Sequence, residues 1–128
     1  MGVYEILGLL FMLLCAHALC DFPLQTPEIG KGKNRNRPID PAMIPPGQKI
    51  DKTVWIHYMS AHAAIHGGAV SLVTGFWIIG LLEFVAHWTI DFFKCENKYG
   101  IFTDQMLHIG CKVVWVILVV IKINAVNA

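Results

Sequence analysis

The chain has 128 residues, 55% of them hydrophobic and only 15% charged, with a mean hydropathy of +0.55. Soluble domains carry about a quarter charged residues, so this composition excludes intrinsic disorder and points to a membrane protein of at most one domain. Ten Lys and Arg against nine Asp and Glu give a formal charge of +1, which excludes a nucleic-acid surface built on bulk basicity. Six histidines in so apolar a chain are what remains to be explained.

The charges are clustered, and the gaps between them set the organisation. Ile6 to Leu19 is apolar apart from His17. It also fits a cleaved signal peptide ending in Ala16-His17-Ala18, but its leading segment carries Glu5 and no Lys or Arg, which disfavours cleavage. Residues 28–52 form a polar stretch with Lys31, Lys33, Arg35, Arg37, Lys49 and Lys52 and four prolines, Pro38, Pro41, Pro45 and Pro46. This composition predicts an extended, non-helical loop. Met59 to Phe93 is too long for one span of about 20 residues, and Gly75 and Gly80 mark a tight hairpin within it. A short polar loop, 94–102, precedes the unbroken apolar run Val113 to Ile121. The expected fold is all-α, a polytopic four-transmembrane-helix bundle with spans at about 4–22, 57–75, 77–94 and 103–123. Loops 28–52 and 94–102 lie on one side and hold eight of the ten Lys and Arg, which places them in the cytoplasm. Trp55, Tyr58, Trp88 and Tyr99 suit an interfacial aromatic belt. Cys15, Cys20, Cys95 and Cys111 show no CxxC spacing and are expected as free thiols.

Each expected span carries ionisable residues four apart: His17 and Asp21, then His62 and His66, then Glu83, His87 and Asp91, then Asp104 and His108. A spacing of four keeps side chains on one helix face. Counting about 1.5 Å per residue from the cytoplasmic ends, Asp21, Asp91 and Asp104 fall at the boundary and His17, His87 and His108 about one and a half turns deeper. The pattern also repeats. HxxxDF occurs at His17–Phe22 and His87–Phe92, and [HD]xxxHxG at His62–Gly68 and Asp104–Gly110. The chain thus reads as two copies of one helical hairpin related by a pseudo-two-fold axis along the membrane normal.

Imidazole and carboxylate are the ligands of Zn, Fe and Mn, and di-metal bundles draw such residues from each of four helices. The expected metal ligands are His17, Asp21, His62, His66, His87, Asp91, Asp104 and His108, with a divalent transition metal as cofactor. In a hydrolase, a bound water would serve as nucleophile and Glu83 or Asp91 as general base. The plainer reading is a hydrogen-bonded network that staples the bundle, and a third is proton or ion passage. Lys112 continues the Asp104 and His108 face to the depth of Glu83, which predicts a buried Glu83–Lys112 ion pair, against snorkelling of Lys112 towards water. Gln25, Lys94 and Gln105 sit at the cytoplasmic rim, where Gln105 would bond a ligand carboxylate or cap its helix.

The segments His17-xxx-Asp21-Phe22-Pro23-Leu24-Gln25, His62-xxx-His66, His87-xxx-Asp91-xx-Lys94 and Asp104-Gln105-xx-His108 resemble a bacterial and phage family of small integral membrane proteins, domain of unknown function 3307. The resemblance covers nearly the whole chain apart from the Pro-rich loop and the C-terminal tail. It implies an integral protein of the bacterial inner membrane and supplies no activity. Histidine and aspartate pairs in short membrane helices are similar in style to membrane-bound metal-dependent hydrolases, an analogy only. The expected partners are membrane lipids, with a lipid-linked substrate, a membrane protein or a second copy of the chain beside them, and no nucleic acid.

Overall fold

All six prolines fall between Pro23 and Pro46, so the chain on either side is free to run as uninterrupted helix. A computed structural model describes residues 1–37, 42, 44–49 and 51–126. Among these it is all-helical: α1 (Val3–Asp21), α2 (Pro27–Gly32), α3 (Val54–Thr74), α4 (Trp77–Cys95) and α5 (Ile101–Val126). The long helices occupy the stretches expected to be helical. They close into a ring in which α1 packs on α3 and α5, α4 packs on α3 and α5, and α2 lies on α3.

The loop expected over 28–52 is not wholly extended. Thr26 caps α2 by accepting from the Ile29 N–H at 3.4 Å, and Pro27 occupies its first turn, where a missing N–H costs nothing. The helix-breaking prolines all follow at position 38 or later, and Pro38 and Pro41 lie outside the described residues. Gly32 at the end of α2 sits directly against the Tyr58 ring, and a Cβ there would run into it.

The hairpin between α3 and α4 turns at Gly75, which closes α3 in the left-handed conformation with φ 73° and donates its N–H to Ser71 O at 2.9 Å. Gly80, expected at the turn, instead lies one turn inside α4. There it meets Gly67 of α3, backbone to backbone: a Cβ on Gly67 would stand 2.7 Å from Gly80 O, and one on Gly80 would collide with Ser71 Oγ. Close approach of two helices requires such small residues. Gly80→Ala is therefore expected to destabilise the protein by roughly 1–3 kcal/mol, read as a lowered thermal unfolding midpoint, whereas Gly110→Ala, which meets nothing within 4 Å, should be nearly neutral.

The bundle is inverted relative to a soluble protein. Lys112, Glu83 and His62 are 0% exposed, while Leu72 is 86% and Trp77 70% exposed. The main apolar cluster occupies one half, where Leu13, Val70, Ile79, Trp115, Val116 and Val119 pack together. The other half, towards the two polar loops, is filled by ionisable side chains. Two helices, α1 and α5, are long and apolar enough to cross a membrane, and both are mostly exposed. Of the four expected spans, α3 and α4 do not meet that description, because their composition includes the buried His, Glu and Asp residues of the interior.

Candidate metal centre

Residues four apart on four helices converge because the inward face of each helix is the face that carries them. All eight residues expected as ligands come together in one buried cluster. His57, the sixth histidine, is exposed on the outside of α3. Three groups of side chains are placed to hold a metal ion, each with its donor atoms within 4.8 Å of one another: Asp21, His62, His66 and His87; His17, His87 and His108; and Asp91, Asp104 and His108.

The first group centres on Asp21 Oδ1, which lies 3.2 Å from His66 Nε2, 3.4 Å from His62 Nε2 and 4.0 Å from His87 Nε2. In the third, His108 Nε2 is 3.6 Å from both Asp91 Oδ1 and Asp104 Oδ1. Donors about 2.1 Å from a common ion in tetrahedral array stand roughly 3.4 Å apart, so these separations are those of a coordination shell. Asp21 with His62 and His66, and His108 with Asp91 and Asp104, stand at ion-pair distance without meeting hydrogen-bond geometry. Nε2 of His62, His66, His87 and His108 and Oδ1 of Asp104 are buried and have no hydrogen-bond partner among the described residues. Buried polar atoms are nearly always satisfied, and a set of unpaired ring nitrogens aimed at shared carboxylates fits a divalent transition metal by donor type, burial and spacing.

Around this core the polar partners are specific. Gln105 donates to Asp21 Oδ2 at 2.9 Å, and its Oε1 is 3.2 Å from His17 Nε2, so of its two expected uses it holds a carboxylate. Lys94 pairs with Asp104 at 3.0 Å. The expected Glu83–Lys112 pair is present at 2.5 Å with both side chains buried, and Lys112 does not snorkel. Trp115 Nε1 donates to the other oxygen of Glu83, while Glu83 Oε1 also faces His87 Nδ1 at 3.5 Å.

Two partners escaped the sequence. Lys33, buried just past α2, bonds Asp91 Oδ2 and donates to Gln25 Oε1 at 2.5 Å. No periodicity links residues so far apart, although Thr26-Pro27 is a helix-start signal that would have placed α2 and turned attention to the residue after it. Trp115 lies three residues beyond Lys112, and extending the face of Asp104, His108 and Lys112 by one step reaches it.

The segment carrying Lys33 is strapped down. Arg35 forms a two-pronged bond to Glu96 at 2.8 and 2.9 Å and lies over the Phe92 and Trp55 rings, and Asn36 donates to Cys95 O and Glu96. Hydrogen bonds from Arg35 and Asn36 pull the Glu96 carboxyl down to about 2. Its contribution to holding the strap is thus complete above the ordinary carboxylate range and is lost only as pH falls towards that value. These contacts also place the two polar loops at one end of the bundle, next to the cluster. The four cysteines are free thiols.

No curated protein and no solved structure matches the chain. The family model DUF3307, described as a protein of unknown function, matches residues 9–128, a stretch that includes every residue of the cluster. The chain belongs to this family.

Proposed function

We propose that the protein is an integral membrane protein that binds a divalent transition metal, Zn, Fe or Mn, in its His/Asp cluster and acts as a metal-dependent hydrolase on a lipid-linked substrate. The observation that carries this reading is the set of buried imidazole nitrogens with no hydrogen-bond partner, spaced around shared carboxylate oxygens as ligands are.

The membrane part is supported by the inverted bundle. Apolar side chains cover most of the outside of the four long helices, and the ionisable ones between their ends are turned inward, which in water would cost far more than it returns and in hydrocarbon is the required arrangement. On this reading α3 and α4 span along with α1 and α5. The end that carries the basic loops faces the cytoplasm of a bacterial cell, and those loops draw the protein's substrate side towards anionic lipid headgroups. Retention of α1 follows from His17 and Asp21, which are part of the cluster.

A divalent ion bound there supplies Lewis-acid activation of water near neutral pH. The chain's own residues divide the remaining work. Asp91, expected both as a ligand and as a base, turns one oxygen to His108 and the other to His62 and His87 and serves as a ligand. Glu83, the other expected base, has one oxygen on Lys112 and the other on Trp115, and its 3.5 Å approach to His87 Nδ1 suits the orientation of a ligating imidazole. The competing reading is a hydrogen-bonded staple in a membrane interaction protein. The Glu83–Lys112 pair is of that kind, but Nε2 of His62, His66, His87 and His108 has no hydrogen-bond partner among the described residues.

Detergent-purified full-length protein is expected to contain stoichiometric Zn, Fe or Mn by elemental analysis, and His87→Ala to lose it. Wild-type protein that is metal-free, binds none of the three on titration and unfolds at the same temperature with or without them overturns the metal reading. Phosphate or headgroup release from lipid-linked esters by the metal-loaded protein, absent from the metal-free protein, tests the hydrolase part separately.

A further inference from the structure

Resting on the metal reading, we infer that the cluster is a dinuclear centre, two ion sites bridged by Asp91 and related by the internal repeat. Eight donor residues are more than one ion of these metals accommodates, since protein sites use four to six ligands. By distance the donors form one set of Asp21, His62, His66 and His87 and another of Asp91, Asp104 and His108, which share no residue, while a third group, His17, His87 and His108, spans both; the internal repeat assigns His17 to the second.

The sequence repeat produces the same division independently. Superposing the two HxxxDF segments equates His17 with His87 and Asp21 with Asp91. Superposing the two [HD]xxxHxG segments equates His62 with Asp104 and His66 with His108. Applied to the first set, Asp21, His62, His66 and His87, this exchange returns Asp91, Asp104, His108 and His17, which is the second. The packing obeys it too, because exchanging α1 with α4 and α3 with α5 carries every helix contact in the ring onto another contact in the ring.

Asp91 bridges them: its Oδ1 faces His108 Nε2 at 3.6 Å in the second set, while its Oδ2 faces His62 Nε2 at 3.5 Å and His87 Nε2 at 3.7 Å in the first. Its counterpart in the repeat, Asp21, does the same, with Oδ1 on His62 and His66 and Oδ2 3.4 Å from His17 Nε2. The two oxygens of one carboxylate thus point at different sets, the arrangement by which carboxylates join paired metals about 3.5–4 Å apart.

Charge points to the same number. Three carboxylates, Asp21, Asp91 and Asp104, form the cluster, and two lysines reach it from the polar end: Lys33 on Asp91 Oδ2 and Lys94 on Asp104 Oδ2. Each ammonium stands beside one of the two sets. Two divalent ions that displace these lysines towards the loops leave the carboxylates compensated to within one charge, with Glu83 and Lys112 neutral as a pair.

The test is Zn(II) and Mn(II) loading of the full-length protein in detergent, measured by elemental analysis after removal of free ion, with Mn(II) electron paramagnetic resonance on the same samples. Wild type is expected to saturate at two ions per chain and to give an exchange-coupled Mn(II) spectrum. His66→Ala and His108→Ala are each expected to retain one ion with an uncoupled spectrum, and the double variant none. His66→Gln and His108→Gln repeat the measurement with less change in volume. Saturation of wild type at one ion, or loss of all metal in both single variants while each still unfolds cooperatively, overturns the dinuclear assignment and leaves the metal reading standing. No ion bound by wild type overturns both.

Discussion

Lys112→Met is expected to lower stability by about 3–5 kcal/mol, seen as a large drop in the thermal unfolding midpoint of the detergent-purified protein. Lys112 and Glu83 are both 0% exposed and sit at the boundary between the ionisable half of the bundle and the apolar core. Removing the ammonium leaves a carboxylate that keeps the Trp115 hydrogen bond but loses its counter-charge in a site of low dielectric. The pair itself contributes far less than its rupture costs, because desolvation offsets most of the attraction. Glu83→Gln combined with Lys112→Met should therefore recover most of the loss, and a double variant no more stable than the single one would show that the ion pair is not the source of the effect. If Glu83 also orients His87, the double variant regains stability but binds metal more weakly than wild type.

Lys33→Met is expected to be the second severe substitution, and its effect should depend on metal. Asp91 is 2% exposed, and among the described residues its closest cation is Lys33. Loss of that ammonium should cost metal-free protein about 3 kcal/mol, as for other broken buried pairs. The same ammonium repels a divalent ion arriving at Asp91, so the variant should bind Zn(II) at least about tenfold more tightly, which corresponds to about 1.4 kcal/mol. Thermal unfolding with and without Zn(II) reads both effects: the variant melts well below wild type without the ion and approaches it with the ion. Equal losses under both conditions would mean that Lys33 serves only to anchor the strap.

The cluster was legible in the sequence because helical geometry converts a spacing of four into a shared face, and four such faces in one apolar chain have one interior to share. The Glu83–Lys112 pair followed from the same arithmetic carried one turn deeper. What the arithmetic missed lies outside helical periodicity. Lys33 reaches Asp91 across 58 positions from a short helix that a proline-rich composition concealed, and nothing local marks that contact. Gly80 was read as a turn residue, yet a glycine serves equally well where two backbones touch, and only the partner Gly67 distinguishes the two uses. The number of spans was harder still. Only α1 and α5 are long and apolar enough to cross a membrane, and the expectation of four spans rests on the apolar outer faces of α3 and α4, which a composition average does not separate from their polar inner ones.

The donors' scatter over four helices also bears on how the protein is made. A chain emerging from the ribosome presents Asp21, His62, His66 and His87 before Asp104 and His108 exist, so the first set can close on α1, α3 and α4 while Lys94 and Glu83 wait for partners on α5. The cluster lies at the end of the bundle next to the polar loops, which on the membrane reading is the end nearest water and headgroups. Glu83, the one acid set deeper, depends on the last helix for both Lys112 and Trp115.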